Sequence, residues 1–201
     1  MKVGLYFGSF NPIHVGHLII ANHLVEHSDI NQVWFVVSPH NPLKEKNTLL
    51  EDYHRLALVQ EAIDDNPNFR ASDVEFYLEQ PNYTVKTLMV LKDKYPTYTF
   101  ELIMGEDNLR SLTKWFNYEY ILENFKILVY PRAYDSVQKV QEGNLPDEIK
   151  NHPHVKMVQN TPTMNISSSH IRAMISAKKD VRYLVPNSVW KYIDKMGFYG
   201  A

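Results

Sequence analysis

The chain has 201 residues, 44% hydrophobic and 22% charged, the proportions of a protein that folds around its own core, so wholesale disorder and a fibrous repeat are excluded. Lys and Arg total 21 against 23 Asp and Glu, a net charge of -2; no bulk positive field exists to hold a long polyanion, so no nucleic-acid partner is expected and any phosphate must be gripped locally. The absence of Cys excludes a disulfide framework, a thiolate metal cage and a cysteine nucleophile, and makes a cytoplasmic location the default.

Residues 3–7 form an apolar run closed by Gly8-Ser9, too short for a secretion signal. Residues 33–37 (VWFVV) end in Ser38-Pro39, and residues 99–104 end in Gly105. Each has the pattern of a buried strand with a turn behind it. Helical spacing covers residues 17–27, 49–63 and 84–91, with Leu56, Val59 and Ile63 one turn apart in the second. Residues 69–74, 127–130 (ILVY) and 155–158 (VKMV) read as further strands. The alternation predicts an α/β fold, a Rossmann-like parallel sheet of five to six strands flanked by helices. No apolar run approaches bilayer length, so no membrane span is expected. From Ser168 onward only helices are predicted: a body over 171–177, Pro186 in a first turn, then 189–193. The expected division is a sheet domain over 1–166 and a small C-terminal helical cap over 167–201 that completes one functional unit. Residues 40–48, rich in Asn, Pro and Lys, read as a loop. Residues 132–154 lack periodicity, and a short helix is expected near 136–141.

Gly8-Ser9-Phe10-Asn11-Pro12-Ile13-His14-Val15-Gly16-His17 follows the first strand, where open α/β sheets bind ligands. Gly8 allows close backbone approach, Pro12 stiffens the turn, and Gly16 leaves a helix face bare for a phosphate or an adenine. His14 and His17 share one face of a helical start, so both imidazoles can offer N–H donors to one anion at the positive helix end. Isolated, an HxxH pair is more often a capping or surface pair; its place in this ten-residue context favours a site. A zinc pair is the weaker reading, with no Cys and no carboxylate nearby to serve as third ligand.

Late in the chain, Ile166-Ser167-Ser168-Ser169-His170-Ile171-Arg172 enters a helix with hydroxyls, unpaired N–H groups and a forked cation. A plain serine N-cap explains the heptapeptide equally well. Two phosphate-type elements at opposite ends of a parallel-sheet chain can nevertheless converge on one crevice, as a nucleotide with a polyphosphate tail requires.

GSFNPIHVGH together with ISSSHIR resembles the nucleotidyltransferase superfamily, with its (H/T)xGH element after strand one and ISSTxIR-like element late in the chain. Within it the layout is similar to bacterial nicotinate/nicotinamide mononucleotide adenylyltransferases, matching also NYTVKTL from Asn82, Gly105-Glu106-Asp107 with Trp115 following, and VRYLVP from Val181. The resemblance spans nearly the whole chain. It implies transfer of the adenylyl group of ATP to nicotinate mononucleotide, giving nicotinate adenine dinucleotide and pyrophosphate, in NAD biosynthesis. His14, His17, Arg172 and Lys44 would carry catalysis, with Lys46 competing for the role of Lys44. ATP would lie against Gly8, Ser9, Phe10, Gly16, Gly105 and Ile166, with Asp107 on the ribose hydroxyls and Ser167, Ser168 and Arg172 on the triphosphate. The mononucleotide would meet Asn11, Thr84 and Arg132, with Trp115 stacked on its pyridine ring. Mg²⁺ would come with ATP, and no resident metal site is implied; a homo-oligomer is compatible with the pattern. Bacterial nicotinate enzymes usually show Gly-Gly-x-Phe-Asp-Pro where this chain has Gly8-Ser9-Phe10-Asn11-Pro12, so nicotinamide mononucleotide and dual specificity remain open, as does another small-molecule adenylyl- or cytidylyltransferase. No activated Ser–His–Asp or Lys nucleophile is recognisable, so direct in-line attack on the α-phosphorus is expected.

Overall fold

The computed structural model describes residues 1–39, 49–131 and 147–201. Strands β1 (Lys2–Gly8), β2 (Gln32–Val37), β3 (Phe69–Ser72), β4 (Thr99–Gly105), β5 (Lys126–Tyr130) and β6 (Val155–Met157) form one sheet in the order β3-β2-β1-β4-β5-β6. Every neighbouring pair is parallel. Parallel strands need crossovers that cover both faces, which is why these strands are apolar on both sides. Tyr6, Val33, Phe35, Ile103 and Leu128 point to one face, under helices α1 (Val15–His27) and α2 (Asp52–Ile63). Val3, Leu5, Trp34, Val36, Leu102 and Ile127 point to the other, under α3 (Thr84–Lys94) and the short helices α4 (Glu106–Arg110) and α5 (Tyr118–Asn124). A further short helix, α6 (Asp147–Lys150), precedes β6.

The C-terminal helices α7 (Ser168–Ser176) and α8 (Asn187–Met196) bury Ile171, Ile175, Val189 and Ile193 in the core cluster that α1 and α2 share. The chain's end therefore packs beside its beginning. Connections leave β1 and β4 toward opposite sides of the sheet, and the crevice beyond their C-terminal ends is the topological switch point where such sheets hold ligands. No helix among the described residues is long and apolar enough to cross a membrane.

Among the boundaries that differ from the sequence expectation, three bear on the site or the core. The third strand ends at Ser72, its last rung opposite Val36, and Val74–Tyr77 turns as a 3-10 helix that buries Glu75. The second helix begins at Asp52 and not at Leu49, because Leu50 spends its backbone groups elsewhere: its N–H donates to Asn11 Oδ1 and its carbonyl accepts from Arg55. The first helix begins at Val15, with His14 as its N-cap. Helices α4 and α5 were not foreseen; five and seven residues are too few for a periodic signal. The helix expected near 136–141 lies outside the described residues.

Candidate active site

The turn after β1 sets the site. Phe10 adopts φ 44, which folds its ring back onto Gly8, where an added Cβ would come within 2.9 Å of that ring. The buried Phe10 ring then supports His17 edge-on at 5.2 Å, and Tyr6 does the same from 5.9 Å. The Phe10 side chain thus lies beneath the imidazole, which leaves its backbone as the part that can meet a ligand. After the cis Asn11–Pro12 bond the chain enters α1.

His14 and His17 stack with ring centroids 3.7 Å apart and planes 24° from parallel. The His14 backbone N–H donates to His17 Nδ1 at 3.2 Å. A neutral His17 then carries its proton on Nε2, an N–H donor for an anion. Gly16 serves this stack: a Cβ there would sit 3.0 Å from His14 Nδ1, so the bare face expected for a phosphate or an adenine is taken by the His14 ring. The first donor of α1 is also engaged, Val15 N–H bonding the Leu184 carbonyl at 3.0 Å, which explains the VRYLVP element as a brace behind the helix start.

The late motif comes to this turn. Ser168 Oγ donates to the Pro12 carbonyl at 2.9 Å, and Arg172 Nη1 donates to the Asn11 carbonyl at 2.8 Å. Elements more than 150 residues apart are thereby joined at the end of β1. Ser167 acts as N-cap, accepting from His170 N–H at 3.2 Å, and Ser169 Oγ accepts from Arg172 Nη2 at the same distance. The serine-cap reading and the convergence reading both hold. Ile166 is half-buried on the first core cluster.

Arg55 lies behind the turn, fully buried, and sequence reasoning missed it. Its Nε donates to the Leu50 carbonyl at 3.0 Å and Nη1 to the Ser9 and Ser38 carbonyls at 2.6 and 2.7 Å. Nη2 donates to the Pro39 carbonyl at 3.0 Å and to Asp52. Burial lowers the guanidinium below its ordinary value and Asp52 pulls it back in part; it remains a cation at neutral pH. One side chain thus holds the ends of β1 and β2 together. The only hint in the sequence was an arginine on the inward spacing of a helix. Asn11, also buried, has its Oδ1 occupied by Tyr199 Oη at 2.7 Å and Leu50 N–H at 3.3 Å.

Beyond β4, Gly105 is buried as the N-cap of α4 and Asp107 lies in that helix's first turn, at the switch point. Trp115 closes the 3-10 turn Leu112–Lys114 and packs half-buried on the second core cluster, as does Tyr83, the N-cap residue before Thr84. Tyr83 and Phe116 rings lie 4.7 Å apart, which brings the Thr84 and Trp115 segments side by side. Glu75 is buried beneath them: Thr87 Oγ1 donates to it at 2.7 Å, and burial pushes its carboxyl above its ordinary value. Lys44, Lys46 and Arg132 lie outside the described residues.

Imidazole N–H, hydroxyl and guanidinium groups are donors suited to anionic oxygens, and no group of three or more His, Asp or Glu among the described residues is arranged to hold a metal ion. The sequence profile described as cytidylyltransferase-like matches residues 5–174. A probable nicotinate-nucleotide adenylyltransferase of Flavobacterium psychrophilum is 55% identical over 199 residues, 99% of each chain. One from Flavobacterium johnsoniae with the same description is 53% identical over 199 residues, again 99% of each. Among solved structures, Plasmodium falciparum nicotinic acid mononucleotide adenylyltransferase complexed with NaAD superposes with a TM-score of 0.78 at 20% identity, covering 98% of this chain and 97% of its own.

Proposed function

The chain belongs to the cytidylyltransferase-like family, and from that premise we propose that it is a nicotinate-nucleotide adenylyltransferase, which forms nicotinate adenine dinucleotide and pyrophosphate from ATP and nicotinate mononucleotide in NAD biosynthesis. The observation that supports the reading is the meeting of the histidine turn and the Ser-Arg helix start at the end of β1, through Ser168 on Pro12 and Arg172 on Asn11. Such a crevice fits a nucleotide triphosphate whose tail runs from one element to the other.

The mononucleotide's phosphate has a second pKa near ~6, so its attacking oxygen is already ionised at neutral pH and no base must remove a proton. That oxygen bonds to the α-phosphorus as the bond to the β-phosphate bridging oxygen breaks, and pyrophosphate leaves. The protein's task is to bring two anions into line and to stabilise the charge that builds on the leaving group. The Nε2–H of His17 and the ring of His14 face the phosphates, and Ser167, Ser168 and Arg172 hold the tail. Lys44, or Lys46, adds a cation from residues 40–48. Asp107 receives the ribose hydroxyls; Trp115 and Thr84 hold the pyridine ring, and Arg132 the mononucleotide. Mg²⁺ enters with ATP as part of the substrate and spreads charge over its oxygens. We also propose a cytoplasmic location for the reaction.

A pyrophosphate-release assay with ATP or CTP and a panel of acceptors tests this. kcat/KM should be highest for ATP with nicotinate mononucleotide. A higher value with nicotinamide mononucleotide would reverse the assigned specificity, and preference for CTP or for phosphopantetheine would overturn the reaction.

A further inference from the structure

The last turn of the chain, the 3-10 turn Phe198–Gly200, is fastened to the body of the protein. Lys178 Nζ donates to the Gly200 carbonyl at 2.5 Å, and the Phe198 ring meets His54 of α2 at 4.7 Å. Tyr199 between them holds φ 59, a conformation that a bulky residue adopts only when its surroundings impose it. What this backbone delivers is the phenol: Tyr199 Oη donates to Asn11 Oδ1 at 2.7 Å. An amide oxygen accepts only, so the phenol must be the donor. Burial pushes its ionisation well above its ordinary 10.0, against the pull of Arg172 and Arg55, and it stays a protonated donor throughout the working range.

The acceptor is a junction. Asn11 Oδ1 also takes the Leu50 N–H at 3.3 Å, while the Asn11 carbonyl takes Arg172. Leu50 is where the chain returns from residues 40–48, and His14 is three residues beyond Asn11, separated by the buried Pro12 and Ile13. One side-chain oxygen thus links the histidine turn, the return of the lysine-bearing segment and the C-terminus. None of these contacts touches a reacting atom. In a site that works by alignment, though, small displacements of the donors are expensive.

We propose that Tyr199 is a positioning residue for adenylyl transfer, acting through Asn11 Oδ1 to fix the turn that carries His14 and His17. The proposal rests on the adenylyltransferase reading. Wild-type turnover tests that reading, and the ratio of variant to wild type tests this one.

Tyr199→Phe removes one oxygen and keeps the ring. It should lower kcat about fivefold while KM for both substrates stays within about twofold and thermal stability changes little. In an Asn11→Ala background the same change should have no further effect on kcat, because the junction is already gone. Phe198→Leu, which loosens the same turn without touching the hydrogen bond, should lower Tm yet combine multiplicatively with Asn11→Ala. If Asn11→Ala does not fold, Asn11→Asp keeps an acceptor, and Tyr199→Phe must again lower kcat there. Unchanged kcat in Tyr199→Phe, or an effect that persists in full beside Asn11→Ala, would overturn the proposal.

Discussion

The two ends of the sheet treat buried charge in opposite ways. At the C-terminal end, Arg55 is 0% exposed and meets an acceptor for each of five N–H directions, four of them main-chain carbonyls from the turns after β1 and β2 and from the return at Leu50. Toward the N-terminal end, Glu101 of β4 is 1% exposed, opposite Gly4 and Lys126, and neither carboxyl oxygen has a hydrogen-bond partner among the described residues. A buried ion without partners opposes folding, whereas one fully hydrogen-bonded can hold loops that would otherwise wander. Buried Arg55 is fully bonded at the end that carries the site, whereas buried Glu101, toward the other end, has no hydrogen bond among the described residues.

Removing Arg55 breaks the first half of this contrast and should have the largest effect. Arg55→Ala leaves four carbonyls and Asp52 without their donor, and by analogy with other broken buried pairs should cost about 3–5 kcal/mol, a large part of a typical domain's stability. Arg55→Lys should fall well short of rescue, since three donors on a point charge cannot serve acceptors arranged for a planar fork. Chemical denaturation measures the loss, and pyrophosphate release should fall with it even where the variant remains folded.

His17→Ala separates the site's chemistry from the scaffold beneath it. The imidazole is half-exposed above Phe10 and Tyr6, so its loss opens no closed core cavity and Tm should move by only a few degrees. kcat, by contrast, should fall by about 10²-fold or more, the usual size for deleting a donor to developing charge. A folded variant with unaltered turnover would remove His17 from the reaction.

The contrast also explains what the sequence revealed. The unbroken apolar runs VWFVV and ILVY, with helices between, are enough to predict the parallel sheet, and the positions of GSFNPIHVGH and ISSSHIR at opposite ends of the chain allow them to converge on one crevice. Ser168 on Pro12 and Arg172 on Asn11 realise it. Arg55 and Tyr199 were not legible, because their partners at the β1 turn are carbonyl or amide oxygens of segments remote in sequence, and such acceptors leave no residue-type signature. Gly16 was read as space for a ligand; that the space belongs to His14 depends on a rotamer, which no spacing rule encodes. Glu101 reads as one polar residue within an apolar run, and only the sheet shows it to be enclosed.

Glu101→Gln should have the smallest effect, with the opposite sign. Burial raises the Glu101 carboxyl above its ordinary 4.5, Asp29 pushes in the same direction, and Lys126, Lys2 and Lys156 pull it back only in part. The folded state therefore binds this proton more tightly than the unfolded state does. Its contribution to stability is fully present below pH 4.5 and is lost as pH rises through the raised value. A glutamine holds no ionisable proton and escapes that loss, although its amide is still buried. Tm of Glu101→Gln should exceed wild type by a few degrees at pH 7, and the gap should narrow as pH falls toward 4.5, with turnover unchanged because the residue lies away from the crevice. Parallel melting curves from pH 4 to pH 8 read both trends; a gap that ignores pH would show that the carboxyl titrates alike in the folded and unfolded chain, and would remove the burial effect.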